Sequence, residues 1–219
     1  MKITELTKRN ILFTVPENAD GGYVHMGLIL GKKHNFIIDT GMGESNINAI
    51  RDYIGNDSKP IVAIITHAHW DHMFGNSALK NDIIVSHILC REIMEKEWET
   101  KSKDRMSVNR DYIDAEIHKC LPNLVFTGSM CFPEDGITLF HTPGHTDDSI
   151  NLYDSVGKIL YVADNFGVAH GKAYPWADKE ATRHMIMLYK QFDFNVCVPS
   201  HCEPQSREII SLLEQALTD

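Results

Sequence analysis

Long hydrophobic runs are missing from this chain. No apolar stretch approaches the roughly 18 residues that cross a bilayer, so no membrane association is expected. The first ten residues, Met1 to Asn10, also lack the continuous apolar core of a secretory signal, and a cytoplasmic location is the expectation. Positive charge is scarce: 21 Lys and Arg stand against 30 Asp and Glu, a formal net charge of −9. A phosphate-backbone partner would need a basic track, so no nucleic acid is expected. The local cluster Lys101-Ser102-Lys103-Asp104-Arg105 is flanked by Glu95, Glu97 and Glu99 and reads as a solvated helix face. The five cysteines, Cys90, Cys120, Cys131, Cys197 and Cys202, are odd in number and never spaced Cys-x-x-Cys. That pattern speaks against a disulfide framework and for free thiols. Internal repeats, low-complexity tracts and linkers are not visible.

What remains is a 219-residue chain, long enough to bury a sizeable core in a single domain, residues 1–219. Strand-like runs occupy Ile11–Val15, Tyr23–Leu30, Asn35–Asp39, Ile61–Ile65 and Asp82–Ser86. A second block comprises Asn123–Phe126, Ile137–His141, Ser149–Tyr153, Lys158–Ala163 and Asn195–Val198. Helical spacing appears over Ser45–Ile54 with Ser45 as N-cap, over Asp178–Gln191 with Asp178 as N-cap, and over Pro204–Leu217. A helical insertion is predicted at about residues 88–122, carrying Trp98, Met106 and Tyr112 either as a lid or as a packed hairpin or dimer contact. A homodimer is therefore one expectation for partners beside a small-molecule substrate.

The chemistry concentrates in Thr66-His67-Ala68-His69-Trp70-Asp71-His72, which follows the apolar strand Ile61–Ile65. Three imidazoles and one carboxylate within six residues suit a borderline divalent metal such as zinc, and carboxylate-rich variants of such sites suit iron or manganese. Further candidates follow strands downstream: His145 in Thr142-Pro143-Gly144-His145-Thr146, Asp164 after Ile159-Leu160-Tyr161-Val162-Ala163, and His201 after Val196-Cys197-Val198-Pro199-Ser200. Upstream, Phe36-Ile37-Ile38-Asp39-Thr40-Gly41 forms an Asp-x-Gly turn after a strand.

Taken in order, these motifs resemble the metallo-β-lactamase superfamily over residues 36 to 201, with Ser200 where the family has Gly. The resemblance implies an α/β fold of αββα type, a four-layer sandwich of two mixed sheets flanked by helices. It also implies two divalent metal ions, zinc first and iron or manganese as alternatives. His67, His69 and His145 would hold one ion and Asp71, His72 and His201 the other, with Asp164 bridging. The ligand set is similar to that of the glyoxalase II type. Hydroxyacylglutathione itself is not expected as substrate, because Asp219 lies only eighteen residues after His201. The implied activity is hydrolysis of a thioester, lactone or amide: a metal-bound hydroxide attacks the carbonyl while Asp71, the catalytic residue, orients it and passes its proton to the leaving group. Substrate-binding candidates are His170 and Tyr174, in the Gly- and aromatic-rich run Asn165–Trp176 after Asp164, and Trp98 in the insertion. Two other readings use the same residues: a mononuclear iron dioxygenase acting on a persulfide or thiol, and a binding protein that has kept the fold without catalysis.

Overall fold

The computed structural model describes residues 1–218. Two compact units emerge, Met1–Thr127 and Gly128 onward. Each is built on its own large mixed sheet with helices.

In the first unit, β1 (Lys2–Glu5), β2 (Asn10–Pro16), β3 (Tyr23–Leu30) and β4 (Asn35–Ile38) form an antiparallel meander. From β4 onward, β5 (Ile61–Ile65), β6 (Ile83–His87) and β7 (Leu124–Phe126) continue the sheet in parallel. Strand β5 is apolar at every position because it pairs on both edges and its last four residues are buried, as a central parallel strand must be. Three α-helices accompany this sheet, α1 (Glu44–Ile54), α2 (Trp70–Met73) and α3 (Ile88–Val108), with a short 3-10 helix at Asn76–Leu79. Ile47 and Ile50 of α1 and Cys90, Met94 and Trp98 of α3 join Phe13, Met26, Ala63 and Ile65 in one core. Their i, i+3 and i, i+4 spacing is what seats both helices.

In the second unit, β8 (Ser129–Phe132), β9 (Ile137–His141), β10 (Ile150–Asp154) and β11 (Ile159–Ala163) run antiparallel. A hairpin of β12 (Phe166–Ala169) and β13 (Lys172–Pro175) follows, then α4 (Lys179–Lys190). Strand β14 (Val196–Pro199) returns parallel to β11, β15 (Gln205–Ser206) adds an edge, and α5 (Ile209–Ala216) closes the described chain. Leu160, Val162 and Cys197 of the sheet bury Met185, Ile186 and Tyr189 of α4 and Ile209 and Leu213 of α5.

Several sequence-based expectations need correction. Leu124–Phe126 belongs to the first sheet, pairing in parallel with β6, and not to the second strand block. Within 88–122 the helix ends at Val108. Its fully buried residues end at Trp98, and Met106 is the last apolar residue of the helix packed against the core. Ser45 does not cap α1. Helix α1 starts at Glu44, and the Ser45 N–H and hydroxyl instead donate to Asp114 at 2.8 and 2.6 Å, placing a carboxylate at the positive helix end. Asp178 does cap α4, accepting from the Ala181 N–H at 2.8 Å. The Asn165–Trp176 run is mostly a hairpin, closed by His170 and Gly171 at φ 51° and 73°. Two successive left-handed residues define the I′ turn that matches strand twist.

Candidate metal centre

The donors of the first unit sit where β5 runs into α2. Thr66 follows the strand, and its N–H and hydroxyl donate to the two oxygens of Asp39 at 2.8 and 2.9 Å. Asp39 lies at the end of β4, 1 % exposed and held at φ 59°. That left-handed conformation costs a non-glycine residue about 1–2 kcal/mol, and here it turns the carboxylate under the ligand loop. Oδ2 of Asp39 also lies 2.8 Å from Nδ1 of His72. A carboxylate on one ring nitrogen fixes the imidazole's tautomer and leaves Nε2 as the donor for a metal. Nε2 of His72 in turn lies 3.3 Å from Oδ2 of Asp71. His67 and His69 approach through Nε2 and Nδ1 at 3.0 Å.

The loop is braced from two sides. Thr40 donates to the His72 carbonyl through both its N–H and its hydroxyl, drawing the turn at residues 39–43 against α2. Gly75 permits this contact, because a Cβ there would lie 2.3 Å from the Thr40 carbonyl oxygen. From α3, Lys101 donates to the carbonyl of Ala68 at 2.9 Å and the Arg105 guanidinium stands 5.7 Å from the Trp70 ring centroid. The Lys101–Arg105 cluster is thus more than a solvated face, since two of its charges, one helical turn apart, grip the ligand loop.

In the second unit, His145, Asp164 and His201 converge from three connections. Oδ2 of Asp164 lies 3.5 Å from Nε2 of His145 and 3.2 Å from Nε2 of His201. Ala163 precedes Asp164 at φ 49°, beside a register shift between β11 and β14. Here too a left-handed residue at a strand end aims a carboxylate. The Ser200 N–H donates to the Ala163 carbonyl at 2.9 Å, which keeps His201 beside Asp164. His141 reaches the His145 loop by bonding the Asp147 carbonyl at 2.7 Å. Behind both loops is a buried polar knot. The hydroxyl of Tyr189 donates to the Asn151 side-chain oxygen at 2.8 Å, and Nδ2 of Asn165, the residue after Asp164, donates to Tyr189 at 3.0 Å. Complete burial pushes the Tyr189 phenol well above its ordinary range, so it stays a neutral donor. Cys202, after His201, is buried as a small packing residue, and that burial pushes its thiol up.

These spacings suit metal binding. Two donors on one tetrahedral zinc, each roughly 2.0–2.2 Å from the ion, lie about 3.3–3.5 Å apart. The pairs His67–His69, Asp71–His72, His145–Asp164 and His201–Asp164 span 3.0–3.5 Å. Each unit therefore presents imidazole nitrogens and a carboxylate at ligand spacing, and the chain carries His/Asp clusters able to hold a metal ion.

The substrate-binding candidates are placed differently. Trp98 is 4 % exposed and packs edge-on to Phe74 in the first core, as a packing residue does. His170 stands at the exposed tip of the hairpin. Tyr174, 46 % exposed, lines a cavity of about 330 Å³ with Leu212, Gln215 and Ala216 of α5. The aromatic ring set against candidate donors is that of Trp176, with centroids 5.6 Å from His145 and 6.0 Å from His201. Sequence reasoning named Trp176 only as part of its loop. Asp39 was visible as a motif turn, without its bond to His72. Nothing in local sequence pointed to Tyr189 as the partner of two asparagines.

The family profile described as the metallo-beta-lactamase superfamily matches residues 19–201, and the chain belongs to that superfamily. Solved structures agree on the fold. A metallo-beta-lactamase from Pontibacter korlensis aligns at TM-score 0.73 with 22 % identity, covering 99 % of this chain and 97 % of that one. The DIM-1 metallo-beta-lactamase aligns at TM-score 0.74 with 14 % identity, covering 98 % and 97 %. The fold is accordingly the expected α/β class with two large mixed sheets and helices. Among curated proteins, the acyl-coenzyme A thioesterase MBLAC2 of Gallus gallus is 27 % identical over 164 residues, and its Bos taurus counterpart 24 % over 165. Each match covers 66 % of this chain and 58 % of the relative, so the chain accounts for under two thirds of those proteins' length. A metallo-hydrolase is the class that this membership and the donor clusters suggest. No helix among the described residues is long and apolar enough to cross a membrane.

Proposed function

We propose that the donors of the two units complete one dinuclear centre and that the chain hydrolyses an activated carbonyl compound, with thioesters as the first substrate class. His67, His69 and His145 would hold one ion, Asp71, His72 and His201 the other, and Asp164 would bridge them. The observation that carries this reading is the position of the Asp164 carboxylate. A single oxygen, Oδ2, faces both His145 and His201 at ligand spacing, as a carboxylate serving two ions does. The two spacings are nearly equal, so neither imidazole monopolises that oxygen.

Two divalent ions would supply an acidified water and an electrophilic clamp on the carbonyl oxygen. The protein's own residues do the rest. Asp39 fixes the His72 ring and Thr66 anchors Asp39, so the first donor set is preorganised before substrate arrives. Asp71, 5 % exposed beside His72, orients the nucleophile, holds its proton and delivers it to the leaving sulfur or oxygen. The acyl-coenzyme A thioesterases to which the chain is related support a thioester as first choice over a lactone or amide.

The test is a panel of acyl-coenzyme A thioesters, lactones and amides, assayed with the purified chain before and after chelation and after return of zinc or manganese. Thioester hydrolysis that disappears with the metal and returns with it is the expected result. A metal-loaded chain inactive on the whole panel would sink the proposal.

A further inference from the structure

A half-exposed indole set beside two candidate metal-binding imidazoles offers an apolar surface at the point where a substrate would lie. Trp176 is 40 % exposed, yet its position is fixed at several points. Its backbone N–H donates to the Asn165 carbonyl at 3.0 Å, tying it to the residue beside Asp164. The indole lies over Gly167 of β12, where a Cβ would stand only 3.2 Å from indole Cζ2. Glycine at 167 thus makes the seat. The next residue, Ala177, packs on the His145 loop, its Cβ 3.1 Å from where a Gly144 Cβ would be. Held this way, the ring stands beside His145 and His201 with interplanar angles of 49° and 47°. It flanks both imidazoles while part of its surface stays open to solvent.

Resting on the hydrolase reading above, we propose that the open surface of Trp176 is the platform for the apolar acyl chain of the thioester. The distances decide which part of a substrate can use it. With ring centroids about 6 Å from both ligand imidazoles, only atoms within a few bonds of the scissile carbonyl can reach the indole. On the thiol side of a coenzyme A thioester those atoms lead quickly to an amide, which seeks hydrogen bonds. On the acyl side they are methylenes, which gain by covering an aromatic face. Trp176 thereby favours substrates whose acyl group extends beyond acetyl, and its ring contributes to acyl-chain selectivity rather than to proton transfer.

The experiment uses the chain at its own metal content and compares acetyl with octanoyl thioesters, each on coenzyme A and on the short thiol N-acetylcysteamine. Trp176→Ala is expected to raise the octanoyl-to-acetyl KM ratio on the order of tenfold, equally on both thiols, while Trp176→Phe restores most of the wild-type ratio. Calorimetric affinities for hydrolysis-resistant thioether analogues of the same four compounds should show the same change. Gly167→Val, which keeps the indole but removes its seat, should shift the ratio in the same direction. An unchanged ratio in Trp176→Ala, in an enzyme that still hydrolyses thioesters, would overturn the platform alone. So would a change that follows the thiol and not the acyl chain. A wild-type chain that neither hydrolyses nor binds any of the four would overturn the hydrolase reading and this inference with it.

Discussion

Asp71→Ala is expected to lower kcat by about 10²–10⁴-fold, the range for loss of a positioned acid–base group, while KM for the same thioester changes little. Asp71 lies in the first turn of α2, 5 % exposed, with its carboxylate 3.3 Å from Nε2 of His72. Its place in the helix and the neighbouring imidazole thus set where its carboxylate lies. A group that orients the nucleophile and transfers its proton acts on the transition state, so its removal lowers kcat and kcat/KM together. Steady-state kinetics across acyl thioesters, with metal content measured on the same samples, check this. Should KM rise while kcat holds, Asp71 would be a binding residue and its assignment as proton carrier would fail.

Asp39→Ala should be the most damaging change to stability. The Asp39 carboxylate is 1 % exposed and accepts from the Thr66 N–H, the Thr66 hydroxyl and His72 Nδ1. Alanine would leave a buried N–H, hydroxyl and imidazole without this acceptor. Each buried donor left unsatisfied costs about 1–3 kcal/mol. Because His72 would also lose the partner that orients its ring, metal affinity should fall about 10–100-fold if His72 is a ligand as proposed. Urea denaturation and metal titration of the variant test the two effects separately. Asp39→Asn, which keeps the shape and part of the hydrogen bonding, should fall between the wild type and alanine in both. Wild-type stability in Asp39→Ala would show that the network is not what holds the ligand loop.

Strands β2–β7, β9–β11 and β14 were legible because their period and their β-branched residues are local properties, whereas the edge strands β1, β8 and β15 were not read. Ile61–Ile65 shows this best: a run apolar at every position reads as a strand covered on both faces, and β5 has both neighbours. Sheet membership was harder. Leu124-Val125-Phe126 carries the same local signal whichever sheet it joins. Its parallel pairing with Val85-Ser86-His87 is a contact across nearly forty residues that no window of sequence contains. Strand β1, with three of its four residues exposed, has no apolar alternation to detect. The β12–β13 hairpin read as loop because its turn is His-Gly, outside the usual Asn-Gly and Asp-Gly signals. That misreading hid Trp176, whose importance comes from the ring of Gly167, His145 and His201 that the hairpin assembles around it.

The candidate donors themselves were legible from type and spacing. His67, His69, Asp71 and His72 lie within one turn of chain, so geometry brings them together whatever surrounds them. Their supports were not legible, since an orienting carboxylate or a capping hydroxyl is recognised only by where it points. Asp39 and the Asn151–Asn165–Tyr189 knot show the point. In each case the partners come from different elements, and the backbone strain at Asp39 and Ala163 that aims the carboxylates leaves no mark in residue type.

The most direct test of the dinuclear hydrolase is the metal content of the chain purified without chelator or added metal, measured by plasma mass spectrometry beside an Asp164→Ala variant. The account predicts close to two equivalents of zinc or manganese per chain, falling to one or fewer when the bridging carboxylate is removed. Close to one equivalent of iron, retained after loss of His69 or His201, would contradict it and point instead to a mononuclear oxygenase.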